Sequence, residues 1–237
     1  MTWARISAAA DGSTSAEADA DIIHGLSIND GDVLVFGINS NNDDATITDD
    51  TATGAEMIWV VQNRSDMTSQ TCTYSVGWKV ADSEPGTYEF SHGGAARWSV
   101  TVSQYRWTGD GAPEFDAGPQ HDFEASNTTI APFTGITVAD DSIAHVFVGD
   151  DHLGGPGGGM TNGYVLGAGS GGQTSGMGYK IFNGATGGAT GDAEFSNMSN
   201  SARSFTEHFS IKNGAAAAAL IPPALLHSFA VTRASNY

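Results

Sequence analysis

The sequence predicts an all-β fold, an antiparallel β-sandwich of jelly-roll type, on three observations. Short runs of alternating apolar and polar residues, rich in Val, Ile, Thr and aromatics, recur between clusters of Gly, Asp, Asn and Ser, the period of strands rather than helices. The chain has 31 glycines and 15% charged residues among 237, a loop-rich and weakly charged composition. The stretch from Gly25 to Ile38 aligns without a gap on the stretch from Gly135 to Val148. Further matches keep the same order: Trp78-Lys79-Val80 with Tyr179-Lys180-Ile181, Glu89-Phe90-Ser91 with Glu194-Phe195-Ser196, and Ala96-Arg97 with Ala202-Arg203. Repetition at so long a period predicts two related β units, about residues 20–109 and 130–214. They would form one sandwich over residues 1–214, followed by a non-repeating C-terminal segment, 215–237.

In chain order, strands are expected near residues 3–8, 20–28, 32–39, 45–48, 56–63, 71–81, 86–91 and 96–107. In 32–39, Leu34, Phe36 and Ile38 share one face and Val33 and Val35 the other, so both faces suit a central strand. Cys72, the lone cysteine, can form no internal disulfide and reads as a small buried side chain. Trp98, Val100 and Val102 alternate with Ser99, Thr101 and Ser103, which predicts the apolar set inward and the hydroxyls outward. Residues 110–127, with Gly, Pro and acids, have the composition of a crossover loop.

The second set of strands is expected near 130–138, 142–149, 162–168, 174–182, 192–196 and 203–212. Ser204 to Lys212 matches its counterpart less cleanly, and a shift of one residue there would imply a bulge or a false alignment, because such a slip exchanges the two faces. Residues 149–191 hold about half of the glycines, and 154–159 is expected to be a surface loop. It lacks the lysine and hydroxyl of a phosphate loop. The last segment is apolar, then interrupted by Pro222-Pro223. Leu220, Ile221, Pro222, Pro223, Leu225, Leu226 and Phe229 are the expected partner-binding residues, since an apolar run outside the repeats must be hidden, here against a neighbouring subunit.

The balance of 27 acidic against 9 basic residues, a net charge of -18, repels phosphate backbones and anionic lipid, so neither nucleic acid nor membrane is an expected partner. Residues 1–8 lack the basic start and apolar core of a signal peptide, and no apolar run is long enough to span a bilayer.

No catalytic constellation stands out. The seven histidines (24, 92, 121, 145, 152, 208 and 227) include no pair at helical zinc spacing. His145 and His208 fall inside predicted strands as surface or hydrogen-bonded core residues. Asn41 to Asp44 and Asp150-Asp151-His152 are oxygen-rich turns without EF-hand spacing, where calcium would be sought first. No Gly-x-Ser-x-Gly elbow occurs. Trp59, Trp78, Tyr88, Trp98 and Tyr105 are expected in the core, whereas Trp3 and Trp107, near strand ends, are the better candidates for exposure and sugar stacking. Neither enzymatic activity nor a cofactor or metal is expected.

Gly31-Asp32-Val33-Leu34-Val35-Phe36, the turn Ala81-Asp82-Ser83-Glu84-Pro85, Tyr88-Glu89-Phe90, and Tyr105-Arg106 before Gly109 together resemble a β-sandwich family found in tailed bacteriophages and some bacteria. The resemblance covers about residues 20–214, and Trp107-Thr108 between Tyr-Arg and Gly109 departs from the family pattern. It implies a virion structural protein, such as a capsid decoration, head-fibre or tail protein, assembled in the host cytoplasm with copies of itself and other virion proteins. It transfers no catalytic residue. A carbohydrate-binding adhesion module recognising a host-surface glycan is the alternative.

Overall fold

The computed structural model describes residues 2–42, 45–65, 72–127, 132–150, 159–171, 174–195 and 202–214. The described chain is all-β, and no helix of it is long and apolar enough to cross a membrane. Fifteen strands run in order: β1 (Trp3–Ile23), β2 (Val33–Ser40), β3 (Thr48–Asp49), β4 (Ile58–Arg64), β5 (Thr73–Val80), β6 (Thr87–Trp107), β7 (Pro113–Asn127), β8 (Pro132–Phe133), β9 (Thr137–Val138), β10 (Ser142–Asp150), β11 (Val165–Gly171), β12 (Thr174–Phe182), β13 (Gly188–Ala189), β14 (Ala193–Glu194) and β15 (Ala202–Asn213).

All pairings in the two large sheets are antiparallel. The first has the order β1-β6-β2-β5-β4, with β3 beside β6; the second has the order β11-β12-β10-β15-β7. A jelly roll passes its chain back and forth between sheets. Here one sheet is complete before the other begins, so the jelly-roll expectation does not describe the connections.

Three apolar layers hold the sheets. Between them lie Val33, Val35, Tyr74, Val76, Trp78 and Tyr105 from one side and Ile143, Phe147, Met177, Phe205, Phe209 and Ile211 from the other. Leu34, Phe36 and Ile38 point to the opposite face of β2, where Ala20, Ile22, Tyr88 and Phe90 cover them. Tyr88 meets the Phe36 ring edge-on at 4.8 Å. Register shifts between Ser13 and Asp19 interrupt the β1–β6 ladder before it reaches this covering part, where a bulge bends and twists the strand. On the far side of the second sheet, Ala144, Val146 and Val148 lie under Phe133, Tyr164 and Phe195. Both faces of β2 and β10 are therefore buried, as the alternation in 32–39 predicts for a central strand.

Several expectations are corrected. Residues 20–23 continue the long β1, and 86–91 and 96–107 join in the single strand β6. The stretch read as a loop at 110–127 carries β7, an edge strand, where Pro113 at the first position and Pro119 are tolerated because an edge has N–H positions with no ladder partner. Ser99, Thr101 and Ser103 point into the space between the sheets and are fully buried, while Trp98, Val100 and Val102 face the outer apolar layer. Ser99 Oγ donates to Ser175 Oγ of the opposite sheet at 2.7 Å. Trp3 is buried and Trp107 half-buried. Their rings pack 5.2 Å apart, and Trp3 Nε1 donates to the Asp141 carbonyl at 2.7 Å, tying the first strand to the second sheet.

No register slip is needed at β15. Val35 pairs with Trp78 and Ser103, and His145 with Tyr179 and Phe209, so the aligned residues occupy matching ladder positions. What differs is size and polarity: Ser99, Thr101 and Ser103 stand where Phe205, Glu207 and Phe209 stand in the other sheet.

Candidate functional site

Asp32, Arg106, the turn at 81–85 and Tyr88 meet at one end of the first sheet. Asp32, buried, receives Arg106 Nε at 2.7 Å and Nη2 at 2.8 Å, Gln104 Nε2 at 2.7 Å and the Asn29 N–H at 3.0 Å. Burial works to raise its pKa, but these donors outweigh it and hold the carboxyl below its ordinary 3.8. Ala81 exchanges backbone hydrogen bonds with Gly31 and Asp32. Glu84 forms a fully buried ion pair with Lys79 at 2.8 Å. The Lys79 ammonium lies 4.5 Å from the Tyr88 ring centroid and donates to the Ala55 carbonyl at 3.2 Å, while Glu84 Oε1 accepts the Ala55 N–H at 2.9 Å. These residues are a structural clasp, and its far end fixes the loop at 54–55.

That loop is one wall of an open depression of about 370 Å³. Its other walls are Thr48, Asp49 and Thr51, then Glu56 and Met57, and Trp59 and Gln62 of β4. β4 is irregular, with register shifts between Trp59 and Val61 and between Val61 and Arg64. Asn63 takes the left-handed conformation, φ 55°, and Asn63 Oδ1 accepts the Ile47 N–H at 2.6 Å while Gln62 Nε2 donates to the Ile47 carbonyl at 3.1 Å. Bulges of this kind re-aim side chains at sheet edges. Trp59 and Met57 come to rest over Gly77 of β5, where a Cβ would lie 2.9 Å from Met57 Cγ and 3.0 Å from Trp59 Cε3. Asp49 Oδ1 accepts the Thr51 N–H at 3.2 Å, and Glu56 is exposed with no hydrogen bond or ion pair from the described residues.

A second depression, about 190 Å³, lies between Phe123, Phe133 and Thr134. Its carboxylates are already used: Asp122 accepts from the N–H and hydroxyl of Thr134, and Asp192 from the Gly135 N–H.

Two fully buried histidines, His145 and His208, lie on neighbouring strands of the second sheet. His208 Nε2 lies 2.7 Å from the Tyr164 hydroxyl and Nδ1 2.9 Å from the Thr134 carbonyl. A carbonyl only accepts, so Nδ1 carries the proton and Nε2 accepts from Tyr164. Burial pushes its pKa down to about 4, against the opposing pull of the Thr134 carbonyl and Asp122. Burial, with His208 nearby, pushes His145 down to about 3. Its ring sits between Tyr105 and Phe209, and neither nitrogen has a hydrogen-bond partner among the described residues. Where the sheets approach at one edge, the Tyr74 hydroxyl donates to the buried Glu207 carboxylate at 2.8 Å and lies 2.8 Å from His121 Nδ1, and Arg64 lies 3.7 Å from Glu207. Among the described residues no group of three or more His, Cys, Asp or Glu side chains could hold a metal ion.

The expected partner-binding residues Leu220, Ile221, Pro222, Pro223, Leu225, Leu226 and Phe229 lie outside the described residues. So do Asp43, Asp44, Asp151 and His152 of the acidic turns and residues 154–158 of the glycine run. The depression was missed in sequence because its lining, all between Thr48 and Gln62, is brought together by the irregular start of β4 and by a loop tied to distant Glu84. Trp59, read as core, is half-buried there. The signal that could have found it is Gly77 in the middle of an otherwise bulky strand, a mark of close approach.

No family model, curated protein or solved structure matches this chain.

Proposed function

We propose that this protein is a non-enzymatic structural component of a tailed-bacteriophage particle, a capsid decoration, head-fibre or tail protein. It works by assembling with copies of itself and with other virion proteins after synthesis in the host cytoplasm. In this reading the two sheets descend from one duplicated β unit. Support comes from their equivalent strand orders and from the matched ladders around Val35 and His145.

One observation carries the assembly reading. Among the described residues six large apolar side chains are exposed, and every one lies on an edge strand: Ile6 and Ile23 on β1, Ile58 on β4, Phe115 and Phe123 on β7, and Val165 on β11. Ile23 is 79% exposed. Exposed apolar edges invite pairing with another chain, and proteins that remain alone blunt them with charge or cover. The apolar segment 215–237, through Leu220, Ile221, Pro222, Pro223, Leu225, Leu226 and Phe229, would fasten the subunit to its neighbour.

The test is quantitative mass spectrometry of purified particles carrying the full chain, the chain lacking 215–237, or an Ile23→Lys/Phe115→Lys variant. Both altered chains should keep their β circular dichroism and be lost from particles. Normal incorporation of the truncated chain would remove the fastener, and normal incorporation of the edge variant would remove the edges from the interface. A second reading, an adhesion module for a host-surface glycan, is favoured by the open depression beside Trp59.

A further inference from the structure

We propose that the depression beside Trp59 binds an uncharged or amine-bearing glycan, one sugar ring stacking on the indole while Asp49, Glu56 and Gln62 hydrogen-bond its hydroxyls. The inference rests on the adhesion reading and gives it a site and a ligand class.

The first argument is the platform. A sugar ring stacks on a flat aromatic face that is already fixed, because ordering a loose side chain on binding would cost affinity. Trp59 meets this condition. It pairs with Gly77 just before the β4 ladder shifts, and Gly77 lets it press on bare backbone with Met57 beside it. The indole is only half-buried, and it lines the depression.

The second argument is the rim. Sugar hydroxyls both donate and accept, so they are recognised by carboxylates and amides placed around the stacking ring. Asp49, Glu56 and Gln62 surround Trp59 within the same depression, and the Glu56 carboxylate has no partner to give up among the described residues. The wall that carries Glu56 is anchored one residue away, where Ala55 bonds both members of the Lys79–Glu84 ion pair.

Charge selects the class. Two carboxylates on the rim and a net charge of -18 repel uronic, sialic and phosphorylated sugars. The cation nearest in the clasp, Lys79, is fully buried and already paired with Glu84, so it offers an anionic sugar nothing. The depression is open rather than enclosed, which suits a stretch of chain passing through it.

The experiment is isothermal titration calorimetry of the full chain against short gluco-, manno-, galacto- and N-acetylhexosamine oligosaccharides and chitosan oligomers, with a polyuronate as the anionic control. At least one neutral or amine-bearing series should bind, and the polyuronate should not. Glu56→Gln alters an exposed side chain and should fold normally, Gln62→Ala also gives up the bond to the Ile47 carbonyl and is checked for folding by circular dichroism, and each should weaken binding by about ten-fold, the scale of one lost hydrogen bond to a sugar hydroxyl. Trp59→Ala should abolish binding; Trp59→Phe, which keeps an aromatic face, guards against a folding defect and should retain part of it. If a glycan binds but ignores all four substitutions, the adhesion reading stands and this site is wrong. If no series binds, both fall, and preferential binding of the polyuronate overturns the ligand class.

Discussion

Replacing Gly37 by alanine tests how the two sheets fit. Gly37 sits in the middle of β2, and an added Cβ would overlap three ring carbons of Phe147 from the facing sheet, the farthest, Cγ, at 2.8 Å. Phe147 cannot swing aside, since it is fully buried with Tyr74 at 6.3 Å and Phe205 at 5.7 Å between ring centroids. Overpacking of this kind costs about 1–3 kcal/mol, and a clash with a whole ring edge belongs at the upper end. Alanine recovers about 0.5–1 kcal/mol of that through the lost flexibility of glycine in a strand. The net expectation is a destabilisation of about 2 kcal/mol, read as a lower urea midpoint at unchanged slope and a melting temperature lower by roughly 4–8 °C for a chain of this size. A Gly37→Ala/Phe147→Leu double mutant should be more stable than the sum of the single changes predicts, by about 1 kcal/mol. A Gly37→Ala protein as stable as the parent, or strict additivity in the cycle, would refute this account of the inter-sheet packing.

Other outcomes follow from the same coordinates. His208 has a folded-state pKa of about 4 against an ordinary 6.5, so the folded protein binds fewer protons than the unfolded chain between those values. Stability is therefore full above 6.5 and declines as pH falls toward about 4, by about 3 kcal/mol at 1.36 kcal/mol per unit. Urea midpoints across that window should show this loss together with that of His145, held down to about 3, and His208→Gln should remove only its own share; an unchanged slope would exclude His208 as a source. Asp32, held below 3.8, loses its contribution only at more acidic pH, so the two effects separate. Lys79→Met leaves Glu84 buried without its cation and should cost about 3–5 kcal/mol in chemical denaturation. Ser99→Ala strands the Ser175 hydroxyl between the sheets and should cost about 1 kcal/mol, whereas Ser99→Ala/Ser175→Ala should cost less than the single change in the same assay.

Much of the frame is legible along the chain, because alternation records which side chains share a face. Val33 and Val35 were separable from Leu34, Phe36 and Ile38 on that ground, and they do enter different apolar layers. Alternation does not record which face looks outward when both are covered. For that reason Ser99, Thr101 and Ser103 were read as solvent-facing, although they face the second sheet, where Ser99 bonds Ser175 and Ser103 lies beside Gly167. The same logic hid Gly37. Aligned on Phe147, it looks like a mismatch between repeats, but the two positions meet across the interface, where one must be empty for the other to be full.

The candidate site was less legible still. Its Trp59 was visible, but Asp49, Glu56 and Gln62 join it only through a bulged edge strand and a loop tied to Glu84. By itself the sequence determined the strand period, the central place of residues 32–39, the burial of Cys72 and the acidic charge, since these depend on residue type and local spacing. The tertiary structure alone decided which sheet face meets which, where the edges fall and what surrounds Trp59. Those depend on contacts between residues far apart in the chain, and no local pattern encodes the shape of the surface that comes to face it.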